Sequence, residues 1–126
     1  MNQLINLFKA FSDLNRLRVL AALSQHEELC ACQITELLAI TPASVSRHMN
    51  ILISAHLVES RKEGRWVYYR LNRQNKQVNE LVNWVMREFE NDPAATETKE
   101  RMAEILQYTP ESLCQKQRQT SCSHKK

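Results

Sequence analysis

Glycine is almost missing from this chain. Gly64 is the single example in 126 residues, and proline occurs only at positions 42, 93 and 110. So little backbone punctuation argues against a turn-rich fold and for a mainly helical one. No apolar run reaches the about 18 residues that a bilayer span requires. The first residues lack a basic region followed by an apolar core and a small-residue cleavage site, so the expectation is a soluble cytoplasmic protein with no membrane partner. There is no Cys-x-x-Cys and no phosphate-cradling glycine loop, and His26, His48, His56 and His124 show no metal-ligand spacing. Those gaps remove the usual marks of thiol reductases, nucleotide-dependent enzymes and histidine-built metal centres, and no catalytic site is expected. Charge of one sign is scarce too: the formal net value is +3, which by itself singles out no partner.

What is present is a series of helical apolar repeats. Leu4, Ile5, Leu7, Phe8 and Phe11 mark a helix over 3–11, and Leu14, Leu17, Leu20, Ala21 and Leu23 a second one after a cap at Ser12 or Asp13. A short helix over 32–39, a turn at Ala39-Ile40-Thr41 and a helix over 42–54 follow, with Thr41 as cap and Pro42 in the first turn. Residues 57–61 and 66–71 are rich in β-branched and aromatic types and flank Gly64, which supplies the positive φ of a hairpin. A long helix over 74–90 comes next, then a sixth over 99–107. Past Pro110 the chain turns polar and low in complexity, and disorder is expected there. The predicted fold is mainly α with a small β-hairpin wing: a winged helix-turn-helix, dimeric through its terminal helices. Residues 1–92 form the DNA-binding and dimerisation domain and 93–126 a C-terminal extension.

This order of elements has a physical logic. A helix fits the major groove, the helix before it braces it across the backbone, and a basic hairpin reaches phosphates alongside. On the fourth helix Val45, Met49, Leu52 and Ile53 form the buried stripe, leaving Ser44, Ser46, Arg47 and Asn50 on an acid-free outer face. Arginine can make paired hydrogen bonds to guanine and asparagine to adenine. Arg61, Lys62 and Arg65 of the hairpin are candidate phosphate contacts. A solvated helix face would explain Arg47 and Asn50 alone; the capped turn and the adjoining basic hairpin favour DNA. His48 and His56 read as packed or hydrogen-bonded residues rather than ligands.

Four cysteines complete the inventory, at 30, 32, 114 and 122. Cys30-Ala31-Cys32 sits at the start of the bracing helix, and a one-residue separation makes a poor disulfide. Thiolates capture soft ions, and a helix N-terminus favours the thiolate, although Glu27 and Glu28 oppose it. Residues i and i+2 do not share a helix face, so the two sulfurs converge only if Cys30 lies outside the helix or the first turn distorts.

Phe8-Lys9-Ala10-Phe11-Ser12-Asp13 with Arg16-Leu17-Arg18, Glu28-Leu29-Cys30-Ala31-Cys32, Ser44-Val45-Ser46-Arg47-His48-Met49 and Gly64-Arg65-Trp66-Val67-Tyr68-Tyr69 together resemble the ArsR/SmtB metalloregulators, over roughly residues 5–90. The resemblance implies a homodimeric repressor that binds double-stranded operator DNA in the apo form and releases it on binding an inducer. The Cys-x-Cys resembles the arsenic-responsive signature and implies As(III) or Sb(III) as inducer, with no permanent cofactor. A cadmium, lead or thiol-redox response is the alternative. That signature often carries a third cysteine where this chain has Thr35. Cys114 is therefore the candidate third ligand beside Cys30 and Cys32, with Cys122 behind it. The family's zinc sensors use histidine and carboxylate ligands on the last helix; here Asn79 and Asn83 stand on the fifth helix, which argues against zinc.

Overall fold

The structure, a computed structural model, describes the backbone of residues 2–124 and side chains as far as residue 117. Among the described residues seven helices and three short strands follow one another as α1 (Asn2–Phe11), α2 (Leu14–Gln25), β1 (Leu29–Cys30), α3 (Ala31–Leu38), α4 (Pro42–Ser54), β2 (Val58–Glu63), β3 (Trp66–Leu71), α5 (Lys76–Phe89), α6 (Pro93–Ile105) and α7 (Pro110–His124).

The caps explain most boundaries. Asp13 accepts from the Arg16 N–H at 3.2 Å to start α2. Thr41 accepts from the Ser44 N–H at 3.2 Å to start α4, with Pro42 in its first turn, where a missing N–H costs nothing. Asn75 and Asp92 cap α5 and α6 in the same way. The helix-turn-helix bends at Ala39, which takes a left-handed conformation (φ 54°, ψ 41°) at the end of α3. Gly64 has φ +61° at the hairpin tip, as expected from its place in the sequence.

The sheet order is β1-β3-β2, all antiparallel. β1 has no counterpart in the sequence reading: Leu29 pairs with Tyr69 and Cys30 with Tyr68. Two residues carry no readable period, and they become a strand only because the hairpin edge lies beside them. The sheet thereby ties the wing to the start of α3.

Leu20, Leu23, Leu29, Ile34, Leu37, Met49, Leu52 and Leu57 are fully buried at the centre of the core. Met102 and Ile105 of α6 and Leu113 of α7 belong to the same cluster, so the C-terminal extension shares one core with the first 92 residues. Two expectations are corrected here. α6 starts at Pro93, not at 99, because Asp92 caps it and Ala94, Ala95 and Thr98 are buried. The stretch after Pro110, expected to be disordered, continues as α7. Its start is built like that of α4: Thr109 accepts from the Ser112 N–H at 3.1 Å, and Leu113 buries a side chain worth about 1.5–3 kcal/mol. The repeated Thr-Pro-x-Ser (41–44 and 109–112) was the sequence signal for this helix.

Candidate inducer site and nucleic-acid interface

α4 is held by its buried face. Val45, Met49 and Leu52 are in the core, and Arg16 clamps the helix to the end of α1. Its guanidinium donates to the carbonyls of Ala10 (3.1 Å) and Lys9 (2.9 Å) and to His48 Nδ1 (2.9 Å). A guanidinium has no acceptor, so His48 Nδ1 accepts and its proton sits on Nε2. Burial lowers the His48 pKa, partly offset by the nearby Asp13 carboxylate. This histidine is a packed, hydrogen-bonded residue. The opposite face leaves Ser46, Arg47 and Asn50 exposed and Ser44 half-buried. The Ser44 hydroxyl also accepts from Thr41 Oγ1 at 3.0 Å, within the cap.

The wing residues differ from one another. Lys62 and Arg65 are exposed, and the Arg65 guanidinium lies 5.7 Å from the Trp66 ring centre. Arg61 is already engaged. It donates to both Glu28 oxygens (2.7 and 2.6 Å) and to Glu63 (3.1 Å), and it stacks 4.5 Å from the Tyr68 ring centre. The Arg61 hydrogen bonds hold the Glu28 carboxyl below its ordinary pKa. Trp66 and Tyr68 pack against the core and Tyr69 is buried within it, where burial raises its pKa.

The cysteines are arranged otherwise than their sequence spacing suggests. Cys32 of α3 is joined to Cys114 of α7 in a disulfide, with the two Cα atoms 5.5 Å apart. Cys30 is a free thiol at 1% exposure, extended at the start of α3; its N–H donates to the Gln33 side chain at 2.9 Å. The structure thus brings Cys32 and Cys114 together and leaves Cys30 in the core. Among the described residues no three His, Cys, Asp or Glu side chains gather in the manner of a metal cluster. Thr35, which stands at the place of the signature's third cysteine, donates its hydroxyl to the Ala31 carbonyl at 2.8 Å. Cys122 lies outside the residues whose side chains are described. α7 is held along α3 by Gln117, which donates to the Cys32 carbonyl at 2.9 Å, and by a Lys116–Glu36 ion pair at 3.2 Å. A cleft of about 280 Å³ adjoins the sulfur pair, lined by Ala31, Thr35, Pro42, Arg65, Trp66 and Gln117 together with both cysteines.

Comparison with known proteins decides what this arrangement belongs to. Residues 13–60 match the family described as "Bacterial regulatory protein, arsR family". An "Arsenical resistance operon repressor" of Bacillus subtilis is 37% identical over 76 residues, which cover 60% of this chain and 70% of the relative. The chain belongs to the arsR family. A "Cadmium resistance transcriptional regulatory protein CadC" of Listeria innocua is 42% identical over 62 residues, 49% of this chain and 52% of that one. Among solved structures, HlyU from Vibrio cholerae N16961 superposes with a TM-score of 0.60 at 26% identity, covering 69% of this chain and 91% of HlyU.

As an arsR-family protein it is a DNA-binding transcriptional regulator, not an enzyme. The matched span holds Cys30 and Cys32 but stops well short of Cys114. The disulfide therefore joins the helix-turn-helix to a segment outside the match. The exposed apolar residues of the single chain include Leu4, Ile5 and Phe8 of α1, Phe8 at 68%, and Leu81 and Trp84 of α5. Leu7 of α1 and Phe89 of α5 pack inward. Among the described residues no helix is long and apolar enough to cross a membrane.

Proposed function

We propose that this chain is a cytoplasmic, homodimeric transcriptional repressor that releases its operator when trivalent arsenic or antimony is captured by cysteine thiolates. The observation that carries the reading is the meeting of Cys32 and Cys114 at a cleft bounded by the first residue of α4 and the tip of the wing. Sulfur is the donor that soft ions select, and here it stands against the elements that read DNA. A relative named as an arsenical resistance operon repressor supports the metalloid. The one named for cadmium resistance keeps cadmium and lead as the alternative ions.

Ser44, Ser46, Arg47 and Asn50 face the major groove in this reading, and Lys62, Arg65 and Arg61 meet phosphates. Cys32 and Cys114 are the first two ligands. Cys30 is the third, and it reaches the ion only when the first turn of α3 opens, because its backbone is paired into β1. That opening moves the helix that braces α4, and operator affinity falls. The exposed apolar residues of α1 and α5 form the dimer contact, which lets two recognition helices address successive half-sites.

A titration of operator release with arsenite, antimonite, Cd(II), Zn(II) and hydrogen peroxide tests this. Arsenite and antimonite should release DNA from the reduced wild type and fail with Cys32→Ser and Cys114→Ser, both of which should still bind DNA. Release by arsenite from both variants would overturn the assignment. The disulfide itself favours a second reading, a thiol-redox response. Two thiols and one peroxide would give the disulfide and two waters, and release by peroxide alone would select it.

A further inference from the structure

We propose that α7, with the basic residues that end the chain, is a third DNA-contacting element: an arm that holds phosphates beside the recognition helix and the wing. The inference rests on the DNA binding that the family supplies and is independent of the inducer. The arm lies outside residues 13–60, which carry the family match.

The charge of this segment is of one sign. Glu111 is the last acid of the chain, and Lys116, Arg118, Lys125 and Lys126 follow it. A free tail of that kind is an ordinary solvated end, because fixing it on a partner costs conformational entropy. Docking changes the balance. Leu113 is buried in the core, the disulfide joins Cys114 to Cys32, and Gln117 donates to the Cys32 carbonyl at 2.9 Å. The start of the arm is therefore already placed, and DNA binding need not order it.

That place is beside both DNA-reading elements. Cys114 and Gln117 border one cleft with Pro42, the first residue of α4, and with Arg65 of the wing. Pro42 and Arg65 are exposed, as are Gln115 and Lys116 on α7. Arg118 follows Gln117 directly, so its Cα lies about 3.8 Å from that of a cleft residue. The helix continues to His124. At about 1.5 Å per residue, the part past Gln117 spans about 10 Å, or about three phosphates of one strand. The neighbouring acids are paired: Glu36 of α3 with Lys116 at 3.2 Å, and Glu63 of the wing with Arg61 at 3.1 Å. Neither presents a bare carboxylate to a phosphate.

The test measures binding of the full, disulfide-bonded chain to poly(dI·dC) duplex over a salt series, since phosphate contact is independent of sequence. Arg118→Gln, Lys125→Gln and Lys126→Gln, made together, leave the docking residues Leu113, Cys114, Lys116 and Gln117 untouched. They should reduce the log–log salt slope by up to about 2.7 units, at about 0.9 per phosphate, and weaken binding at about 0.1 M salt by about tenfold or more. A chain ending at Gln117 should behave as the triple variant does. Lys76→Gln, Arg87→Gln and Lys99→Gln remove the same charge from exposed positions of α5 and α6. They should move the slope by less than about half a unit, below one phosphate's share. A reduction smaller than about one phosphate's share in the triple variant, an equal reduction in the α5 and α6 variant, or full affinity in the shortened chain would overturn the arm. Failure of the wild type to bind any duplex would remove the arm and the DNA reading together.

Discussion

Cys32 and Cys114 are 82 positions apart in the chain, and a disulfide joins them where α7 lies along α3. Closing a loop of that length restricts the unfolded chain, an effect worth about 2–4 kcal/mol. Reduction should lower the unfolding free energy by that order, and hydrogen exchange should quicken over residues 110–117 while α4 stays protected. Unchanged exchange in α7 after reduction would show that Leu113 and Gln117 suffice to dock it.

Glu28 restrains Arg61. The carboxylate takes two of the guanidinium's hydrogen bonds, and a phosphate would have to displace it. Glu28→Gln should tighten operator binding and steepen the log–log salt dependence by about one unit, the signature of one added phosphate contact. In an Arg61→Ala background the same change should leave the slope alone. A slope unaffected by Glu28→Gln in the wild type would place Arg61 away from DNA.

Arg47 is exposed like Arg61 but has no ion pair among the described residues. If it reads a base, Arg47→Ala should cost about 1–3 kcal/mol of operator affinity and relax preference at one position. A uniform loss over all sequences would make it a phosphate contact, and no loss at all would remove it from the interface.

His48 predicts a pH dependence. Burial lowers its pKa in the folded protein, so the unfolded chain binds the proton more readily. The stability tied to neutral His48 is present above about pH 6.5, the ordinary histidine value, and is lost as the pH falls through the lower folded value. Protonation also removes the acceptor that Arg16 uses. Urea unfolding at pH 7.5 and pH 5 should show a smaller acid loss for His48→Gln than for the wild type; equal losses would assign the effect to other groups.

Ala39 holds a left-handed backbone between the two helices of the DNA-reading unit. That conformation costs an L-residue roughly 1–2 kcal/mol, which Ala39→Gly relieves, less the entropy that glycine loses on folding. A net rise of the melting temperature by a few degrees is expected. A fall would show that the Ala39 methyl makes a contact outweighing the strain.

Local chemistry made much of the fold legible in the sequence. Apolar periodicity, the Asp13 and Thr41 caps, Pro42 and Gly64 each act within a few residues, and α1 to α5 and the hairpin follow from them. The acid-free face of α4 was legible for the same reason, since a helix places every fourth side chain together whatever surrounds it. Tertiary structure decided the rest. β1 exists because a hairpin edge supplies its hydrogen bonds, Arg61 is occupied because Glu28 arrives from another element, and α7 is laid along α3 by burying Leu113. The partner of Cys32 was decided in the same way. Adjacency in the chain offered Cys30 as a fellow ligand of one ion, but a strand end and a first helical turn direct neighbouring residues differently, while packing of α7 against α3 brings in Cys114 from the far end of the chain.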